Sequence, residues 1–131
     1  MTLVIDANVA IALALPQPYS AAARAAIGNV RLIAPDLLIH ETANVLSRLA
    51  ASKAIVDWEA PLDHIQMLID ELVPSSTLAK SVVRDALSTG HPAYDLFYAA
   101  LARDRGATLV TADQKLARQA RVLGIAVTAV R

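Results

Sequence analysis

The sequence has no cysteine, which excludes a disulfide framework and any thiolate metal site. A reducing compartment is compatible with that absence. Glycine is scarce as well, with 4 in 131 residues, and neither a P-loop nor a Gly-x-Gly-x-x-Gly dinucleotide fingerprint is present. Aromatic residues make up only 4% of a chain that is 56% hydrophobic. A core must therefore be built from Ala, Leu, Val and Ile, which suits helices packed closely on a sheet. The longest clean apolar run, Val9 to Leu15, falls far short of the ~20 residues a membrane helix needs. No basic segment precedes an apolar one at the N-terminus, and Asp6 interrupts the first apolar run, so no secretory signal is read. The expectation is one cytoplasmic domain over residues 1–131, without membrane contact.

Charge is balanced overall but not along the chain. Residues 1–79 hold four Lys/Arg and eight Asp/Glu, whereas residues 80–131 hold eight and four. A basic flank beside an acidic site is one way to hold a polyanion over metal ions. Ordinary solvated helix faces produce the same pattern.

Hydrophobic patterning predicts strands at 2–5, 30–34, 108–111 and 125–130. Helices are predicted at 7–15, 20–27, 36–51, 57–72, 77–88, 92–105 and 114–123, punctuated by Pro16, Pro18, Gly28, Pro74, Gly90 and Gly106. Strands alternating with helices imply an α/β fold with a mainly parallel sheet covered on both faces. In such sheets the ligand crevice lies outside the carboxyl ends of the strands.

Two acids are predicted at that edge. Asp6 ends the first strand and Asp113 follows the strand at 108–111, each at a helix start. Helix capping explains either one alone. Glu41 lies mid-helix, where it cannot cap. It shares the border of an apolar face with Leu37, Leu38 and Val45, so it needs a hydrogen-bond partner, a metal, or a head that reaches water. Asp95 stands in the first turn of an almost wholly apolar helix, a position the helix dipole also favours. Two unpaired carboxylates about 4 Å apart repel by roughly 4 kcal/mol at an effective dielectric of 20. A cluster of four would require protons or cations, and all-oxygen ligation selects hard ions. Such a site suits metal-assisted phosphodiester hydrolysis.

Four segments, VIDANV at 4–9, HETANVL at 40–46, YDLFYAALA at 94–102 and LVTAD at 109–113, resemble the PIN-domain nucleases, and among them the VapC-type toxins of toxin–antitoxin pairs. The resemblance implies a PIN-like α/β/α sandwich with a short, mainly parallel central sheet. It implies an endoribonuclease dependent on Mg2+ or Mn2+, acting as a homodimer and neutralised by a small cognate VapB-like antitoxin. On this resemblance Asp6 and Asp95 are the main metal ligands. Glu41 and Asp113 bind a second ion or orient water on the first. Thr111 sits beside the last acid, placed to hold water or a phosphate oxygen, and Asn8 hydrogen-bonds within the site. Cleavage would leave a 5′-phosphate and a 3′-hydroxyl.

Arg48, Lys53, Arg84, Lys115 and Arg118 are basic candidates for holding RNA, while His40, His64 and His91 read as structural or surface residues. Two other functions compete. One is a noncatalytic interaction module of the same fold, which the presence of all four acids argues against. The other is a receiver-like signalling domain, which usually carries paired acids after the first strand. Here Ala7 follows Asp6, and an Asp-x-Asp phosphatase is likewise disfavoured because position 8 is Asn.

Overall fold

The computed structural model describes all residues from Met1 to Arg131. Five strands and seven α-helices follow the chain: β1 (Thr2–Ile5), α1 (Ala7–Ala14), α2 (Ser20–Ile27), β2 (Arg31–Pro35), α3 (Leu37–Ala51), α4 (Glu59–Leu68), β3 (Glu71–Val73), α5 (Ala79–Thr89), α6 (Ala93–Arg105), β4 (Thr108–Thr111), α7 (Gln114–Val122) and β5 (Val127–Ala129). A 3-10 turn at Ser75–Thr77 precedes α5. The sheet has the order β3-β2-β1-β4-β5, and every neighbouring pair is parallel.

Buried on both faces, the inner strands are continuous apolar runs: Leu3, Val4 and Ile5 of β1, Leu32, Ile33 and Ala34 of β2, and Leu109 and Val110 of β4 are all inside. Each such Leu or Ile contributes about 1.5–3 kcal/mol of burial. The helices form two groups. On one side α1 packs against α2, α3 and α4; on the other α6 packs against α5, α7 and strands β1, β2 and β4. Both central helices are nearly all apolar because both are covered: α1 buries Ala7 and Val9–Ala12, and α6 buries Leu96 and Tyr98–Ala102. Small alanines allow the close approach. The turns entering and leaving α6 are set by Gly90 and Gly106, whose left-handed φ of 71° and 58° ends α5 and α6 respectively.

One expected helix is shorter than patterning suggested. The stretch at 57–72 splits into α4 and β3. β3 is a three-residue edge strand with only Val73 buried, so periodicity carries almost no trace of it. Distant charges hold it: Glu71 pairs with Arg31 at 2.8 Å and with Arg105 at 2.7 Å. Asp85 on α5 clamps Arg103 on α6 through both carboxylate oxygens, at 3.1 and 2.6 Å, which fixes the two helices around the turn that precedes Asp95.

From β1 the chain steps outward to β2 and β3, then returns to the other side of β1 for β4 and β5. The order therefore reverses between β1 and β4. In an open parallel sheet this reversal leaves a crevice beyond the carboxyl ends of the two strands.

Candidate active site

β1 and β4 run side by side with Ile5 opposite Val110. The next residues, Asp6 and Thr111, consequently emerge together at the crevice. Asp6 caps α1: its Oδ1 accepts a hydrogen bond from the Val9 amide at 3.0 Å. Its Oδ2 accepts one from the Thr111 hydroxyl. The same hydroxyl oxygen accepts the Asp113 amide at 3.0 Å. Asp113 in turn caps α7, with Oδ1 receiving the amides of Lys115 and Leu116 at 2.9 and 3.1 Å. The capping role suggested by sequence is thus real for both acids. It uses only one oxygen of Asp113.

Glu41 comes from the middle of α3 and is half-buried. Its partner is the Tyr98 hydroxyl, which donates to Oε1 from the otherwise apolar α6. Asp95 enters from the first turn of α6. Its Oδ2 lies 3.4 Å from His91 Nε2, one turn earlier. None of the four acids pairs with an arginine or lysine; those ion pairs fall on Glu71, Asp85 and Asp104.

Asp6, Glu41, Asp95 and Asp113 line one cavity of about 420 Å³ at the crevice, together with Asn8 and Arg48. Four elements far apart in sequence thus deliver their acids to one pocket. The carboxylates do not form a closed ligand set as they stand: no three His, Asp or Glu side chains converge tightly enough to enclose an ion. Asn8 is exposed at the rim, and none of the side-chain hydrogen bonds of the site passes through it. Thr111 is wholly buried. Its hydroxyl is spent on Asp6 and Asp113, so it orients the acids rather than reaching outward to water or phosphate.

Electrostatics mark the inner half of the pocket. Burial pushes the Asp6 carboxyl up from 3.8 to about 6. The bonds from Thr111 and Val9 oppose that rise, while the charges of Asp113 and Glu41 add to it. Glu41 is also raised, first by burial and further by Asp95, against the pull of Tyr98. A buried acid that resists ionisation because it is desolvated, with other acids adding to the cost, is an environment a cation would relieve. The donors are all oxygen, which fits Mg2+ or Mn2+ with part of their hydration retained.

Sequence reasoning missed two residues here. Tyr98 read as core, yet a tyrosine hydroxyl in a buried helix needs a polar partner, and that requirement was the available signal. His91 is buried beside Asp95. His40, also read as structural or surface, lies exposed along the pocket.

An all-parallel sheet between two helical layers, with carboxylates gathered at its topological switch point, defines an α/β protein with an acidic crevice site. The family model described as PIN domain matches residues 3–122, and the chain belongs to the PIN-domain family, whose members are typically nucleases. No curated protein sequence matches it significantly. Among solved structures, PAE2754 from Pyrobaculum aerophilum is similar with a TM-score of 0.70 and 27% identity, over 97% of this chain and 83% of that one. VapBC2 from Rickettsia felis, solved bound to a DNA fragment from its promoter, has a TM-score of 0.70 and 16% identity over 100% of both chains. FitAcB from Neisseria gonorrhoeae has a TM-score of 0.55 and 20% identity over 95% of both. At those identities the last two speak for the fold alone. No helix of the chain is long and apolar enough to cross a membrane.

Proposed function

We propose that residues 1–131 form a single endoribonuclease domain of the VapC type, hydrolysing RNA phosphodiester bonds at the crevice between β1 and β4. The observation that carries this reading is the convergence of Asp6, Glu41, Asp95 and Asp113 on one cavity, without an arginine or lysine partner for any of them, in a PIN-domain chain. Asp6 and Asp95 would hold a Mg2+ or Mn2+ ion, with Glu41 and Asp113 holding a second ion or orienting water on the first. Bound there, such an ion lowers the pKa of water and stabilises charge on phosphoryl oxygens. The chain's own residues supply positioning. Thr111 fixes the Asp6 carboxylate and ties it to the Asp113 backbone, and Tyr98 fixes Glu41. Arg48 at the pocket offers a cation to the phosphodiester, and Asn8 offers an amide at the rim. The likeness to VapBC2 and FitAcB supports a small VapB-like antitoxin as partner. A homodimer is the acting form in the same reading.

The decisive experiment sequences RNA ends after brief expression of the chain, with Asp6→Asn as control. The expected result is new 5′-phosphate ends at defined sites that vanish in the variant and in excess EDTA. Identical ends in both proteins would overturn the assignment and leave a noncatalytic interaction module. Sedimentation of the chain alone and with a VapB-like antitoxin tests the homodimer and antitoxin separately.

A further inference from the structure

A second cleft opens beside the acidic pocket, with a volume of about 350 Å³, and no hydrophobic residue lines it. One wall is the turn from α5 to α6, carrying Thr89 and His91; the other is the outer face of α7, carrying Lys115, Arg118 and Gln119. Asp95 and Asp113 border both cavities, so the two adjoin. Lys115 and Arg118 are exposed and make no ion pair, whereas Arg31, Arg103 and Arg105 each have a carboxylate partner. Buried His91 adds an independent sign. Its Nε2 has no hydrogen-bond partner, since the Asp95 oxygen 3.4 Å away does not meet hydrogen-bond geometry. A buried nitrogen left without a partner, in the wall of a polar cleft, is costly unless a ligand supplies the acceptor.

We infer that this cleft is a phosphate subsite that holds the strand backbone beside the scissile position. The inference rests on the nuclease reading and deepens it. Lys115 and Arg118 supply two cations and His91 Nε2 a nitrogen still without a partner, while Gln119 offers an amide for the sugar or phosphate oxygens; the Thr89 hydroxyl is already donated to the Asp85 carbonyl. Asp95 and Asp113 are placed where a phosphodiester one step along the strand would meet the hydrolytic pocket. The arrangement separates two tasks: cations grip the backbone at the flank, and carboxylates carry the reaction. It also sets Lys115 and Arg118, which line this cleft, apart from Arg48, which lines the acidic pocket.

The test compares Lys115→Gln/Arg118→Gln with Arg24→Gln/Lys80→Gln, which removes two exposed cations from α2 and α5 instead. Steady-state cleavage is measured on a single-stranded RNA and on versions shortened from either end. The expected result is a KM raised about tenfold by the first double variant with kcat changed less than about twofold. The salt slope should shrink by about 0.7 for each phosphate that the variant no longer neutralises. One of the two truncations should erase the difference, because the phosphate that occupies the cleft is then missing. Equal KM values for wild type and variant, or an equal rise in the control pair, would overturn the subsite. Anisotropy of the labelled RNA in EDTA, without turnover, decides the matter separately. Wild type that binds no better than the first variant sinks the cleft alone, whereas absent cleavage by wild type sinks the nuclease reading.

Discussion

Asp6 and Glu41 meet hydroxyls buried in the core, whereas Asp95 and the second oxygen of Asp113 border a hydrophilic cleft, its first oxygen capping α7. The inner pair is costly to ionise, because burial raises both. The outer pair sits where water and a polyanion have access. A pocket divided this way holds Asp6, Glu41 and Asp113 by protein hydrogen bonds and leaves Asp95 without one.

The largest expected break in that comparison is Asp6→Asn. Activity should fall by at least about a thousandfold, a loss of roughly 4 kcal/mol in transition-state stabilisation. Stability should move the other way. With a folded pKa of about 6 against 3.8 unfolded, the folded chain binds the extra proton between those values. Native stability is therefore greatest below pH 4 from this group and is lost as pH rises through 6. Removing the charge recovers up to about 3 kcal/mol at pH 7.5, at 1.4 kcal/mol per pKa unit, and nothing at pH 3.5. Thermal melts at the two pH values check it. A variant less stable than wild type at pH 7.5 would mean that burial does not make the Asp6 charge costly.

Next in size is the outer pair. Asp95→Asn and Asp113→Asn should each lower kcat by about a hundredfold without the stability gain of Asp6→Asn. Asp113→Ala should add a loss of about 1 kcal/mol through the missing α7 cap. A stability gain in either Asn variant would erase the distinction between the two sides. Divalent ions sharpen it from another direction. Adding about 5 mM Mg2+ or Mn2+ should raise the melting temperature at pH 7.5 and do so far less at pH 4.5, since a protonated Asp6 competes with the ion. Chelation should reverse the rise.

How far this design was readable in advance varies with the kind of force involved. β1 and β4 were legible because they are continuous, rich in β-branched residues and buried at all but their first residue, and the acids at their ends followed from where parallel strands deliver residues. β3 was not, because Glu71-Leu72-Val73 is held by Arg31 and Arg105, whose distance from it along the chain hides the pairing. Asp6 and Asp113 were each ambiguous between cap and ligand, and the structure shows that capping leaves room for more. Tyr98 was hidden among apolar neighbours in α6, since a sequence cannot show that Glu41 on α3 stands across from it. His91 was masked likewise: burial depends on how α5 and α6 meet, and Asp85 with Arg103 sets that meeting.

Tyr98→Phe is the smallest and most discriminating change. It removes one hydroxyl and leaves the ring that fills the core, so the fold should lose no more than about 1.5 kcal/mol. Glu41 then keeps its burial and the repulsion of Asp95 but loses the bond that favours its ionised form. Its carboxyl must rise further. The acid limb of the pH–rate profile should consequently move to higher pH, and activity at pH 6 should fall more than activity at pH 8. If Tyr98 merely filled space, both rates would drop together or neither would change. A parallel shift across all pH values would show that Glu41 is positioned by something other than this hydroxyl, and the inner side of the pocket would then be no more fixed than the outer.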